Sequence, residues 1–110
     1  MKTLLMPLAL LAGQAINLQA KPVVHLKPNT DLIQPAFGGS ILELLQAPPV
    51  IHLPVAPPKP DANGNRWTVD VKNFGPQPVT VVDKGTFNAP VAVNQTIHIV
   101  SNGSVYLLKH

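Results

Sequence analysis

Three histidines stand at the centres of short aliphatic runs: His25 in PVVHL (22–26), His52 in PVIHL (49–53) and His98 in TIHI (96–99). Neutral imidazoles ligate zinc and copper, so three of them converging on one surface would make a His-only metal site. The chain has no H-x-H or H-x3-H pair and no cysteine, so any convergence has to come from the fold. In each run the histidine alternates with its aliphatic neighbours: Val24 and Leu26 oppose His25, Ile51 and Leu53 oppose His52, and Ile97 and Ile99 oppose His98. In a half-buried strand that position is the solvent face. The expectation is three water-exposed strand histidines and no resident cofactor. A zinc or copper site on His25, His52 and His98, with His110 as a further donor, is the alternative.

The remaining reactive groups are poorer candidates. Asp70 and Asp83 are the carboxylates available for general acid/base work, and nothing in their spacing makes them converge. Asp61-Ala62-Asn63-Gly64-Asn65 offers oxygen ligands and a glycine but lacks the terminal glutamate of a calcium loop, so it reads as a turn. Ser40, Ser101 and Ser104 have no G-x-S-x-G setting. No enzymatic activity is expected. Beyond residue 20 there are seven basic and five acidic side chains, a net charge of +2, with no two basic residues adjacent. That pattern argues against a nucleic-acid partner.

The strands expected to carry these groups follow a leader. Met1-Lys2 and the apolar run LLMPLALLA (4–12) are followed by small and polar residues, the pattern of a secretory signal peptide. The run is too short to span a bilayer, which takes about 20 apolar residues. Cleavage is expected after Ala20, with Ala15 as the alternative, and the processed chain is expected to be secreted or periplasmic with no transmembrane segment.

The chain beyond the leader divides into two halves. Residues 21–60 hold nine prolines and residues 61–110 only three. Proline removes a backbone donor and forces its predecessor into extended conformations. The first half is therefore expected to be an extended, wrapping segment. Ser40-Ile41-Leu42-Glu43 matches a capping box, which predicts a short docked helix over residues 41–46, an extended strand being the alternative. The two PV-x-HL copies would serve as edge strands bracketing the sheet, and Ala56-Pro57-Pro58-Lys59-Pro60 as a stiff connector.

The second half, residues 61–110, alternates as an antiparallel β domain does. Trp67, Val69 and Val71 share one face, Val79-Thr80-Val81-Val82 comes next, and a long strand is expected from Val91 to Val100. Asp83-Lys84-Gly85 and Asn102-Gly103 are hairpin turns by composition. The run Val69-Asp70-Val71-Lys72-Asn73-Phe74-Gly75 with Pro78-Val79-Thr80-Val81 resembles the V-x-V-x-N-x-G … P-V-x-V hairpin of immunoglobulin-like modules of secreted bacterial proteins, such as CARDB-type repeats. The resemblance implies a structural or adhesive role and brings no catalytic residues.

The sequence thus predicts an all-β protein: a small antiparallel immunoglobulin-like sandwich or partly open barrel with a proline-rich extended N-terminal segment. Its role is expected to be binding or structural, in the envelope or outside the cell. High apolar content on so small a core points to a protein partner or self-association, with Val50, Ile51, Leu53 and Val55 as the contact residues.

Overall fold

The computed structural model describes residues 21–109; residues 1–20, where a leader is expected, and His110 lie outside them. The strands, in chain order, are β1 (Val23–Leu26), β2 (Ile41–Leu44), β3 (Val50–His52), β4 (Trp67–Asn73), β5 (Val79–Val82), β6 (Asn88–Val91), β7 (Thr96–Ser101) and β8 (Tyr106–Lys109). The helical element among the described residues is one 3-10 turn, Pro35–Phe37.

Two sheets result, one with the order β1-β2-β4-β7-β8 and one with β3-β5-β6. Alternate residues of most of their strands enter a single core. Leu42, Leu44, Val69, Val71 and Ile99 come from the larger sheet, and Ile51, Val79, Val81, Ala89 and Val91 from the smaller. The architecture is all-β and sandwich-like.

Five expectations change. Residues 41–44 form a strand, not the first turns of a helix over 41–46. Leu42 and Leu44 are both fully buried, a two-residue period that a helix would place on different faces. The segment pairs on both sides, with β1 and with β4, and Gln46 then ends it at φ 56°. So short an isolated helix would be marginal in water.

Nor is the sheet purely antiparallel. β1–β2, β2–β4 and β3–β5 are parallel pairs, whereas β4–β7, β7–β8 and β5–β6 are antiparallel. Parallel neighbours need a crossover. Here the chain makes it by passing through the other sheet: β3 intervenes between β2 and β4, and β4 between β3 and β5. The expected V-x-V-x-N-x-G … P-V-x-V hairpin is accordingly an arch, since β4 and β5 belong to different sheets. The long strand expected from Val91 to Val100 is broken for a related reason. Asn94 adopts φ 67°, and the chain leaves β6 of one sheet to enter β7 of the other.

The proline-rich half is not a wrapping appendage. It supplies three strands and buries Leu26, Ile33, Leu42, Leu44, Ala47, Ile51 and Leu53. Its prolines all fall outside the strands, where no ladder donor is missed. The two PV-x-HL copies do become edge strands, but of different sheets. Outside β3, Leu32 bridges His52.

Two buried side chains tie the proline connector to the larger sheet. Ser101 Oγ donates to the Pro58 carbonyl at 2.6 Å, and Tyr106 Oη to the Pro54 carbonyl at 2.6 Å. The Tyr106 ring also stands edge-on to Trp67 and Phe87, with centroids 6.1 Å away in each case. Burial, helped by the Asp83 charge, pushes the Tyr106 phenol up to about 12. Because the unfolded phenol ionises near its ordinary value of about 10, this stabilisation is complete below that pH and is lost as pH rises through about 12. Denaturant titrations from pH 9 to 12 should show an alkaline loss of roughly 2–3 kcal/mol. Tyr106→Phe should lack that loss yet start about 1–2 kcal/mol lower, because the Pro54 carbonyl loses its donor.

Candidate functional site

Side chains that face outward from the larger sheet fall into cross-strand rows set by register. His25, Glu43, Lys72 and Thr96 form one row, and Val23, Ile41, Asp70, His98 and Lys109 another. In the first, His25 Nε2 lies 2.8 Å from Glu43 Oε1. In the second, Asp70 takes Lys21 Nζ on Oδ2 at 2.8 Å and His98 Nδ1 on Oδ1 at 2.7 Å. These partners cover Asp70, whose side chain is only 9% exposed although it points away from the core. A depression of about 350 Å³ lies over this cluster, lined also by Thr68 and Lys109.

Burial alone would push the Asp70 carboxyl up. The hydrogen bonds and charges of Lys21 and His98 outweigh it and hold the carboxyl below the usual range. A carboxylate with a depressed pKa contributes stability that is present above its unfolded pKa of about 3.9 and lost as pH falls through the lower folded value. Asp70→Asn should therefore weaken the fold by about 1–3 kcal/mol at neutral pH and flatten the acid limb of the stability profile, read by urea denaturation from pH 7 to 2.5.

The three histidines do not meet. His52 lies on β3 of the smaller sheet, while His25 and His98 lie on the larger. Each points away from the common core, so histidines of facing sheets must diverge. His25 and His98 are themselves separated by β2 and β4, three strand spacings or about 14 Å. Among the described residues no group of three or more His, Cys, Asp or Glu side chains is placed to hold a metal ion.

The other sequence candidates are engaged in local structure. Asp61 Oδ1 accepts from the amides of Asn63 and Asn65, and the Asn65 amide is the main cause that lowers its carboxyl pKa. Asp83 Oδ1 closes the β5–β6 hairpin by accepting from the Gly85 and Phe87 amides, far from Asp70's face. Of the four expected contact residues, Ile51 and Leu53 are core, being buried by the alternation of β3, and only Val50 and Val55 are exposed.

Sequence reasoning missed an apolar opening of the surface. β1, β2 and β4 run parallel, so their C-terminal ends lie together, and beside them opens a groove of about 690 Å³. Leu26, Pro28, Leu45 and Phe74 line it, with the His25–Glu43 pair. Leu45 is 60% and Phe74 42% exposed. Lys72 Nζ sits 4.9 Å from the centroid of the Phe74 ring. The signal was present in the sequence, since Leu45 and Phe74 each break the alternation of the strand they follow, but their meeting depends on the parallel pairing.

No family model matches the chain, and neither the curated proteins nor the solved structures give a significant match.

Proposed function

We propose that this chain is a small exported, non-enzymatic β-domain, of immunoglobulin-like kind, that binds a protein partner in the cell envelope or the extracellular space. The observation that carries the reading is the groove at the ends of β1, β2 and β4, where Leu45 and Phe74 expose contiguous apolar surface inside a polar rim. Exposed apolar patches rimmed by polar groups mark interaction sites. The candidate carboxylates support a non-catalytic role, because Asp61, Asp70 and Asp83 each commit oxygen atoms to structural hydrogen bonds.

A photo-crosslinking residue placed at position 45 tests this in the producing cells, with position 55 as the control, since Val55 is exposed and lies outside the groove. A discrete adduct from position 45 alone, on a chain whose N-terminus is Lys21, is the expected result. Equal labelling from both positions, or a chain retained inside the cell with its leader uncut, would overturn the proposal.

A further inference from the structure

β1 is an edge strand of the larger sheet, and among the described residues it pairs only with β2. The Ile41 amide donates to the Pro22 carbonyl at 2.8 Å, which fixes the phase of this parallel ladder. Backbone groups of alternate residues face the same side, so those of Val24 and Leu26 turn toward β2 and those of Val23 and His25 toward the open side. The edge of β3 is bridged by Leu32, and β6 carries Pro90, which has no amide to offer. β8 is also an edge strand, but only β1 contributes to the large apolar groove, through His25 and Leu26.

We infer that β1 accepts an added strand: an extended segment of another protein that pairs along Val23 and His25 and continues past Leu26 into the groove, where an apolar residue beyond the paired stretch meets Leu45 and Phe74, with acidic residues beside it. This rests on the groove being the binding site proposed above. Exposed edges are templates for strand addition, in which main-chain hydrogen bonds hold the incoming segment and pockets for alternate side chains select it.

Charge decides between a foreign strand and a second copy. The edge reads Lys21-Pro22-Val23-Val24-His25-Leu26-Lys27, and Lys72 stands at the groove. The acids near this edge are both paired, Glu43 with His25 and Asp70 with Lys21 and His98, which leaves Lys27 and Lys72 as its basic groups outside any ion pair among the described residues. In an antiparallel pairing of two β1 strands centred on Val24, each Lys21 would face a Lys27. Like charges directly opposite destabilise a ladder. An acidic segment meets Lys27 and Lys72 favourably, and its binding should weaken with salt.

The test uses the protein purified from the exported fraction and three capped seven-residue peptides that alternate valine and threonine. One carries aspartate at each end, one carries lysine there, and one is the aspartate peptide N-methylated at alternate residues so that it cannot form a ladder. Amide exchange and chemical shifts are followed by NMR, with sedimentation for self-association. The aspartate peptide should slow exchange at the Val23 and His25 amides and shift Leu45 and Phe74, while the other two bind at least tenfold more weakly. Leu45→Asp, an exposed substitution, should abolish binding without altering the unfolding transition. Equal binding of the N-methylated peptide would overturn strand addition and leave the groove reading intact. Binding untouched by Leu45→Asp would overturn the groove reading. No protection at Val23 and His25, or their protection by self-association without peptide, would overturn the inference.

Discussion

Replacing Asn73 with alanine should cost the domain about 3–5 kcal/mol, enough to unfold a large fraction of the molecules. Asn73 is fully buried at the end of β4. Its Nδ2 donates to the carbonyls of Gln77 at 2.8 Å and Val91 at 3.0 Å, and its Oδ1 accepts from the Gly75 amide at 2.8 Å. One side chain thus fastens the end of a strand in the larger sheet, the arch to β5 and the end of β6 in the smaller sheet. A buried group left without its partner costs about 1–3 kcal/mol, and alanine strands three of them, two near the arch where water gives partial relief. Gly75 is part of the same device. It sits at φ 95°, and a Cβ there would stand 3.1 Å from Val93 Cγ1.

Asn73→Asp separates hydrogen bonding from packing, because its shape is the same. At neutral pH a carboxylate would face two carbonyls it cannot serve, and the loss should equal or exceed that of alanine. Burial beside carbonyl oxygens raises a carboxyl pKa above its unfolded value. The neutral acid is then favoured in the fold, so relative to wild type at the same pH the variant should recover stability as pH falls from 7 to 4.5, when it regains one donor. Urea midpoints at the two pH values, with constant m, check this.

These residues mark how far the sequence could be read. Alternation in Trp67–Asn73 and Thr96–Ser101 was legible because each strand has one dry face, and Val69, Val71, Ile97 and Ile99 occupy it as expected. The outward placement of the histidines was legible for the same reason. Which strands become neighbours was not, since pairing is a long-range choice that a two-residue period does not encode. That gap hid the groove at Leu45 and Phe74 and the Lys21–Asp70–His98 cluster, whose members are up to 77 positions of chain from one another yet share one row. It also made the proline-rich half look peripheral. Proline density describes the connections, and here the connections alternate with short strands that each have one apolar face.

Residues 61–110 produced alone should therefore fail to fold, despite containing five of the eight strands. Removing residues 21–60 takes β2 from its place between β1 and β4 and β3 from beside β5, and strips Leu26, Ile33, Leu42, Leu44, Ile51 and Leu53 from the core. Full burial of each large aliphatic contributes about 1.5–3 kcal/mol. Six of them supply roughly 9–18 kcal/mol, comparable with the whole net stability of a small domain. The truncated chain would also expose Val69, Val71, Val79 and Val81 together, a surface that favours aggregation. Circular dichroism and amide dispersion should report an unfolded or aggregated fragment, and adding residues 21–60 in trans should restore dispersed spectra, because the missing strands pair with backbone the fragment already carries. A folded 61–110 fragment would mean that the smaller core sustains itself and that β1 to β3 only decorate it. In that case the edge at β1 would be an accessory arm whose docking is itself adjustable. If the two halves fold only together, the same edge is fixed by the core, and a partner strand that pairs with it meets a rigid, preformed site.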